Sequence, residues 1–409
     1  MKSLIALPLI FLSSCFSPEQ VQVLEDQSSQ EQSIVETPEN TSNPDQIDDD
    51  EDVPPSDSQT CNKTQNLSNI EKPTGVYTSV LTGRAVTNAT MQGGLVRVTW
   101  AEIEPSPGVF DFSRINDQLA LLPTGKKWSL AIHGGWTSVN GNAVGIAAQM
   151  SPSWLETTYN IETFQMSFRQ STVNMPKYWS TTIQNRLEIM MNALAGQYRN
   201  RADLSLVYVP QMTSNGVEGH FNGVPVSTLL AAANLNSGQE DQFADLWVNA
   251  SLAAAKIVAR NFDNKAIAFE VHDVIDRTDI PKRIMDNFLT DSDFENRVGI
   301  AMWWINGDDR DSAYQSELVE VIKNYRGDLY GQVIGNSSQD CEGASSCVDN
   351  KGKTWNGGGR FQNGGYDSVF TLAKKLCMRY IEPWNYEFEN NTKDSQMQDF
   401  NQFASESFE

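Results

Sequence analysis

The sequence predicts a (β/α)8 barrel, a TIM-type α/β fold in one domain. Three observations carry that expectation. Between Thr74 and Trp384, eight short runs rich in apolar and β-branched residues alternate with helical patterns, the count that closes such a barrel. The runs in the middle of the chain are continuously apolar, as the strands of a parallel sheet are when both faces are covered. Carboxylates and tryptophans follow directly after several runs, at the strand ends where these barrels keep their chemistry. A doubly wound open sheet shares the alternation and is the structural alternative. Neither a G-x-G-x-x-G after the first run nor a Walker A motif occurs, so nucleotide chemistry has no support.

Residues 1–14 read as a targeting segment rather than as part of the fold. Lys2 gives the positive start, and residues 4–12 form an apolar core too short to span a bilayer. Leu12-Ser13-Ser14-Cys15 resembles the lipobox of bacterial lipoproteins. That resemblance implies cleavage before Cys15 and lipidation of its thiol. An ordinary secretory signal with an incidental cysteine is the alternative, and both export the chain. Phe16 follows the cysteine where an Asp would retain the protein at the inner membrane. The expected location is therefore the bacterial cell envelope, at the outer membrane, held by lipid.

Residues 15–60 are expected to be a disordered tether. From Glu19 to Thr60 the chain has 13 acidic residues and no Lys or Arg, with many Ser, Gln and Pro. Such a stretch buries too little apolar surface to offset its chain entropy, and its charges repel one another. Of the net charge of −22, the tether carries −13 and the remainder of the exported chain −10. Nucleic acid is not an expected partner of so acidic a protein, and membrane contact is expected through the lipid alone.

The folded domain is assigned to residues 61–409. Cys61, Cys341, Cys347 and Cys377 remain after Cys15, an even number in an exported chain and hence a disulfide framework. Cys341 and Cys347 bracket a short loop and are paired with each other, which pairs Cys61 with Cys377. A metal is not expected, because the spacings do not match a zinc site and the chain has only His133, His220 and His272. No cofactor is expected.

The predicted strands run over residues 75–80, 95–100, 128–133, 204–209, 266–271, 298–304, 329–334 and 379–384. Helical spacing appears between them. Ile115, Leu119 and Leu122 share one face; Ile183, Leu187, Met190, Leu194 and Tyr198 share another. Phe243, Trp247, Ala250, Ala254 and Ile257 form a third stripe, and Val369, Phe370, Ala373 and Leu376 a fourth. A long loop containing Trp136 and Trp154 follows the third strand. A Gly-rich insert, residues 336–365, follows the seventh and is expected to overhang the strand ends.

The segment Trp100-Ala101-Glu102-Ile103-Glu104-Pro105-Ser106-Pro107-Gly108-Val109-Phe110-Asp111-Phe112 resembles the strand-2 region of clan A glycoside hydrolases, the (β/α)8 barrels that include family 42 β-galactosidases. The resemblance implies hydrolysis of glycosidic bonds by two carboxyl groups, one protonating the leaving oxygen and the other attacking the sugar or activating water. In clan A the acid/base follows strand 4, usually in an Asn-Glu pair. Here Glu218 follows the fourth predicted strand, and Asn215 stands three residues before it rather than one. Clan A places the nucleophile on strand 7, where this chain has Gln332 and no carboxylate. A branch of family-42-like barrel proteins has a Glu after strand 4, a Gln on strand 7 and Tyr-(Leu/Ile)-Glu near the end of strand 8. Tyr380-Ile381-Glu382 is similar to that ending. Glu218 and Glu382 are therefore the expected catalytic pair, with Glu270 in reserve; the bland reading of Glu270 is a buried carboxylate held by an Arg such as Arg97.

Trp100, Trp136, Trp154, Trp303 and Trp384 fall at or beyond predicted strand ends and are expected to face sugar rings, whose C–H faces pack on indole. Asn215, His220 and Gln332 are expected to bind hydroxyls. Glu104 reads as a loop-shaping carboxylate, and Arg97, on an apolar strand, as a cation in need of a carboxylate partner. A lipid-anchored glycoside hydrolase is the leading expectation for function. A non-catalytic carbohydrate-binding lipoprotein on the same scaffold is the alternative, motivated by the missing strand-7 carboxylate.

Overall fold

The computed structural model describes residue 61 and residues 70–140, 147–221, 223–308, 310, 315–341, 343–357, 359–361 and 364–408. The signal segment, Cys15 and the tether lie outside the described residues. Eight parallel strands close into a barrel: β1 (Gly75–Thr78), β2 (Gly93–Thr99), β3 (Lys127–His133), β4 (Leu204–Tyr208), β5 (Ala266–Glu270), β6 (Val298–Ile305), β7 (Leu329–Val333) and β8 (Tyr380–Glu382). Each strand pairs with its neighbours in sequence, and β8 returns to β1 through Gly75 opposite Tyr380. The barrel is closed, so the open-sheet alternative is set aside.

Alternation along the strands sorts the side chains into two layers. On β2, Val96 and Val98 join the outer core beneath the helices, whereas Leu95 belongs to the barrel interior; Arg97 has the same parity as Leu95. Large rings inside the barrel face small residues. Tyr77 and Tyr380 approach to 4.4 Å, and Tyr208 and Trp303 to 5.1 Å, while β5 contributes only Ala266 and Ala268 to the same cluster. Such pairing of bulk with small residues fills a barrel without leaving a pore.

Of the predicted stripes, the first is buried only at Ile115, with Leu122 beyond the end of its helix, Ser113–Leu119, and the other three are buried. Thr181–Tyr198 buries Ile183, Leu187, Met190, Leu194 and Tyr198, and Glu240–Asn261 buries Phe243, Trp247, Ala250, Ala254 and Ile257. Two additions were not read in the sequence. An antiparallel sheet of Ser138–Asn140, Thr163–Phe168 and Ser171–Pro176 stands in the long loop after β3. A terminal helix, Asp394–Phe408, closes over β1, where Asn401 accepts a hydrogen bond from the Val76 amide at 2.8 Å. The insert after β7 carries a small hairpin, Ser346–Val348 with Thr354–Asn356. It reaches the β8 end, with Lys351 Nζ 6.0 Å from the Trp384 ring centre.

Both expected disulfides form, Cys61–Cys377 and Cys341–Cys347. The first ties the start of the domain to the turn before β8 across a separation of 316 residues. Cross-linking so distant a pair restricts the unfolded chain most. Replacing Cys61 and Cys377 together by Ser is expected to lower stability by about 2–5 kcal/mol, read as a lower denaturant midpoint with the circular dichroism of the barrel retained; replacing Cys341 and Cys347 is expected to cost less.

Candidate active site

The β4 loop carries Glu218, and close backbone packing determines its path. Gly216 adopts φ +83°, and a Cβ there would lie 2.3 Å from the Gly134 carbonyl oxygen. The Gly216 carbonyl in turn accepts the amides of Gly134 at 3.0 Å and Gln211 at 2.9 Å. His133, the last residue of β3, bonds through Nδ1 to the Asn215 carbonyl at 2.6 Å. Since a carbonyl only accepts, Nδ1 carries the proton and Nε2 is the basic nitrogen of that ring. Burial and the nearby Arg97 charge push His133 down to about 4, which keeps the ring neutral.

Within this frame Glu218 is buried. Its Oε1 accepts from Asn215 Nδ2 at 2.9 Å, and its Oε2 lies 2.8 Å from His220 Nε2. Glu270, at the end of β5, is fully buried and faces the same loop. Its Oε2 accepts the Gly219 amide at 2.7 Å and its Oε1 the Trp303 amide at 3.3 Å. His272 Nδ1 sits 2.9 Å from Oε1 and 3.0 Å from Oε2 of the same carboxyl. Burial pushes Glu270 up to about 8 and His272 down to about 3. The bland expectation for Glu270 therefore needs correcting: backbone amides and His272 hold it, not Arg97.

Glu382 lies inside the barrel, where donors from four strands converge. Gln332 Nε2 donates to Oε2 at 2.6 Å; Tyr208 and Ser129 donate to Oε1 at 3.0 and 3.5 Å, and Tyr380 donates to the same oxygen. Burial raises its pKa above the ordinary carboxylate value, against the opposing pull of the Tyr380 hydroxyl and the Arg97 charge. No Lys or Arg forms a salt bridge with Glu218, Glu270 or Glu382 among the described residues. Arg97 instead lies over the Trp303 ring, 5.1 Å from its centre, and its Nε and Nη2 have no hydrogen-bond partner among the described residues. The expected carboxylate partner of Arg97 is replaced by an aromatic face and by the longer-range field of Glu382.

Trp303 joins the two halves. Its amide bonds Glu270, while its indole packs on Tyr208, which bonds Glu382. Its indole nitrogen, like His133 Nε2 and Asn215 Oδ1, is buried without a partner among the described residues. Unpaired polar atoms converging at the strand ends are what a polyhydroxylated ligand would satisfy.

Trp100, Trp136, Trp154 and Trp384 were expected to offer ring faces on a rim; the structure buries all four. Their indole nitrogens pin loops: Trp100 to Glu104 Oε2 at 2.9 Å, Trp136 to the Ala147 carbonyl at 3.0 Å, Trp154 to the Glu104 carbonyl at 2.9 Å and Trp384 to the Val333 carbonyl at 2.7 Å. An indole with one polar atom is suited to this task, its ring in the core and its N–H on a carbonyl. Glu104 acts as the loop-shaping residue, accepting the Gly108 amide at 2.8 Å and pairing with Arg186. Glu102 closes a capping box with Thr99 and starts a helical turn, Trp100–Ile103, where a loop was expected.

Glu218, His220 and His272 also draw together as a set that could hold a metal, one ligating atom from each lying within 4.8 Å of the others. Linear spacing gave no sign of this, because β5 delivers the third member 52 residues after His220. His133, His272, Tyr208 and Ser129 were not named as site residues. The signal was present in part: His133 ends β3, His272 stands two residues after β5, and Tyr208 terminates β4.

Comparison with known proteins gives the fold class. The structure resembles the catalytic domain of a β-amylase from Paenibacillus polymyxa, with a TM-score of 0.50 and 10% identity over 82% of this chain and 98% of that one. Looser likenesses are a β-galactosidase from Rahnella sp. R3 (TM-score 0.48, 9% identity, 84% of this chain and 57% of that one) and endo-glycoceramidase II from Rhodococcus sp. (TM-score 0.43, 9% identity, 78% and 75%). No protein-family model matches the chain, and no curated protein matches it. The chain is a TIM-barrel protein, and these structural neighbours are glycoside hydrolases.

Gly216→Ala tests whether the β4 loop is held as described. A residue with a Cβ at φ +83° is strained by about 1–3 kcal/mol, and the clash with Gly134 adds to that. Urea unfolding should show the loss; a variant as stable as the parent would mean that the loop relaxes freely.

Proposed function

We propose that the protein is a glycoside hydrolase that cleaves O-glycosidic bonds in oligo- or polysaccharides, with Glu218 as general acid/base and Glu382 as the partner carboxylate. The observation that carries this reading is two buried carboxylates, Glu218 in the loop after β4 and Glu382 at the C-terminal end of β8, each held by polar groups with no Lys or Arg salt bridge among the described residues. Burying a carboxylate without a cation is costly, and a fold retains it where its charge or proton is used. Asn215 holds one Glu218 oxygen and His220 the other, an arrangement able to steady the carboxyl in either protonation state. Gln332 takes the strand-7 place and orients Glu382 rather than acting as nucleophile. The strand-2 motif and the Tyr-Ile-Glu ending support a family-42-like assignment within this class.

A second reading, a non-catalytic carbohydrate-binding barrel, is favoured by one feature: four donors saturate Glu382, which leaves little of its charge for attack on a sugar. Turnover separates the two. Glu218→Gln and Glu382→Gln are each expected to lower kcat/KM on aryl glycosides by at least ~10²–10⁴-fold, with melting temperatures near the parent's. Saturable oligosaccharide binding by the parent without hydrolysis would replace the first reading by the second.

The raised pKa of Glu382 sets a pH dependence. Its carboxylate must be ionised to attack or to activate water, so the acid limb of kcat/KM is expected above the ordinary value of 4.5. The same shift acts on stability with the opposite preference. A folded pKa above the unfolded one favours the fold at low pH, and that contribution is lost as pH rises through the folded value. Glu382→Gln should therefore be no less stable than the parent at pH 8, measured by thermal melting; a large loss would mean that the charge itself is structural.

We further propose that Cys15 carries lipid and anchors the protein at the outer membrane through the acidic tether, the reading that residues 12–15 support. Radiolabelled fatty acid should be incorporated into the parent and not into Cys15→Ser, which should fractionate as soluble protein.

A further inference from the structure

We propose that Glu218, His220 and His272 form a binding site for a divalent transition-metal cation, with Zn²⁺ the best match. The inference goes beyond the hydrolase reading, since binding needs only these three side chains. A ligating atom from each lies within 4.8 Å of the other two. Glu218 Oε2 and His220 Nε2 are 2.8 Å apart, and the two imidazole rings are centred 4.5 Å apart at 44°. Donors about 2.0–2.2 Å from a tetrahedral Zn²⁺ are themselves separated by roughly 3.3 Å, within the span of this cluster.

The surroundings of His272 are a second, independent observation. Its Nδ1 lies between both oxygens of Glu270, at 2.9 and 3.0 Å. That carboxyl is fixed in turn by the amides of Gly219 and Trp303. A ligating histidine is commonly oriented in this way, its outer nitrogen on a carboxylate and its inner nitrogen on the metal. Nε2 is thus the nitrogen of His272 that would ligate. The same Glu270 oxygen that holds Gly219 also fixes the loop between Glu218 and His220, so one carboxyl positions all three proposed ligands. His220 is 11% exposed at its side chain, which gives a route for exchange. Three protein ligands leave a tetrahedral ion one open position, and a two-imidazole, one-carboxylate set favours Zn²⁺ over Mg²⁺ or Ca²⁺.

This site has a consequence for the reaction. A metal on Glu218 occupies the lone pair that would carry the proton, so bound Zn²⁺ and acid/base catalysis by Glu218 exclude each other. That consequence rests on the proposed hydrolase reading; the binding does not.

The test uses the full chain, stripped with chelator and titrated with ZnCl₂, CoCl₂ and MgCl₂ by calorimetry, with Co²⁺ absorption reporting coordination geometry. One equivalent of Zn²⁺ is expected to bind, Mg²⁺ is not, and Co²⁺ should give the intense visible bands of a tetrahedral site. Glu270→Gln should weaken Zn²⁺ by about 10–100-fold, and His220→Ala and His272→Ala by at least as much, each variant being checked by circular dichroism. If His272→Ala does not fold, His220→Ala and the Co²⁺ spectrum of the parent carry the test. Absence of stoichiometric binding, or binding unchanged in His220→Ala, overturns the proposal. No turnover by the chelator-stripped protein, with one equivalent of Zn²⁺ still binding, would sink the hydrolase reading and leave this one standing; turnover by the stripped protein with no Zn²⁺ binding would do the reverse.

Discussion

The arrangement of the site depends on one buried carboxyl group, that of Glu270. It sits where β5 ends, fully buried and with no Lys or Arg in a salt bridge to it among the described residues, and it must find its partners locally. It takes the Gly219 amide from the β4 loop, the Trp303 amide from β6 and the ring of His272 from the segment after its own strand. Three pieces of chain that meet nowhere in sequence are fixed to one group. Glu218 is placed by this fastening, since its neighbour Gly219 cannot move without leaving a buried oxygen under-satisfied. Such a penalty, of order 1–3 kcal/mol for a lost buried bond, is large enough to hold a loop in one conformation.

Glu382 solves the same problem with side chains instead of amides. Ser129, Tyr208, Gln332 and Tyr380 reach it from β3, β4, β7 and β8. Hydroxyls and an amide are neutral donors, so they stabilise charge without cancelling it. Arg97 stands close enough to bias the ionisation of both Glu382 and His133, yet it rests on Trp303 and not on a carboxylate. A barrel interior of this kind stores partly compensated charge, and compensation that is incomplete in the protein alone is what a bound ligand can complete.

The fold was legible because its signals are local. Runs such as residues 266–271 and 298–304 are apolar throughout, and only burial on both faces accounts for that. The stripes on residues 181–198 and 240–261 report helices in the same direct way. The site was legible only in part. Glu218 and Glu382 could be singled out from chain order alone, the first in the loop after the fourth predicted strand and the second near the end of the eighth, and the disulfides because four cysteines allow few sensible pairings. The tryptophans misled because position along a strand does not reveal which carbonyl an indole will find; Trp154 and Trp100 both turned to Glu104, far from each other in the chain. The His220–His272 pair was invisible for a related reason. Its two members are neighbours only after β4 and β5 are laid side by side, and a spacing rule for metal ligands tests proximity along the chain, not across a barrel.

Glu218 is where these constraints meet and compete. A general acid must gain and lose a proton within a catalytic cycle, which calls for partners that tolerate both states; Asn215 can do so, since its amide donates to either form. A metal ligand must stay ionised, which calls for a cation or a committed donor; His220 Nε2 at 2.8 Å could be that donor when protonated, or a co-ligand when neutral. Burial opposes a proton on His272, and a charge on the His220 ring, centred 4.5 Å away, opposes it further in a medium that screens poorly. Two imidazoles flanking one carboxylate have two uses, as a hydrogen-bonded acid/base with a histidine auxiliary or as a cation site. The geometry of Glu270 behind His272 does not choose between them by orientation alone, since it fixes the ring equally for either; it excludes only a mobile His272. The two states are therefore alternatives of one preorganised cluster, and under the proposed metal binding the free concentration of transition metal around the protein decides which is populated.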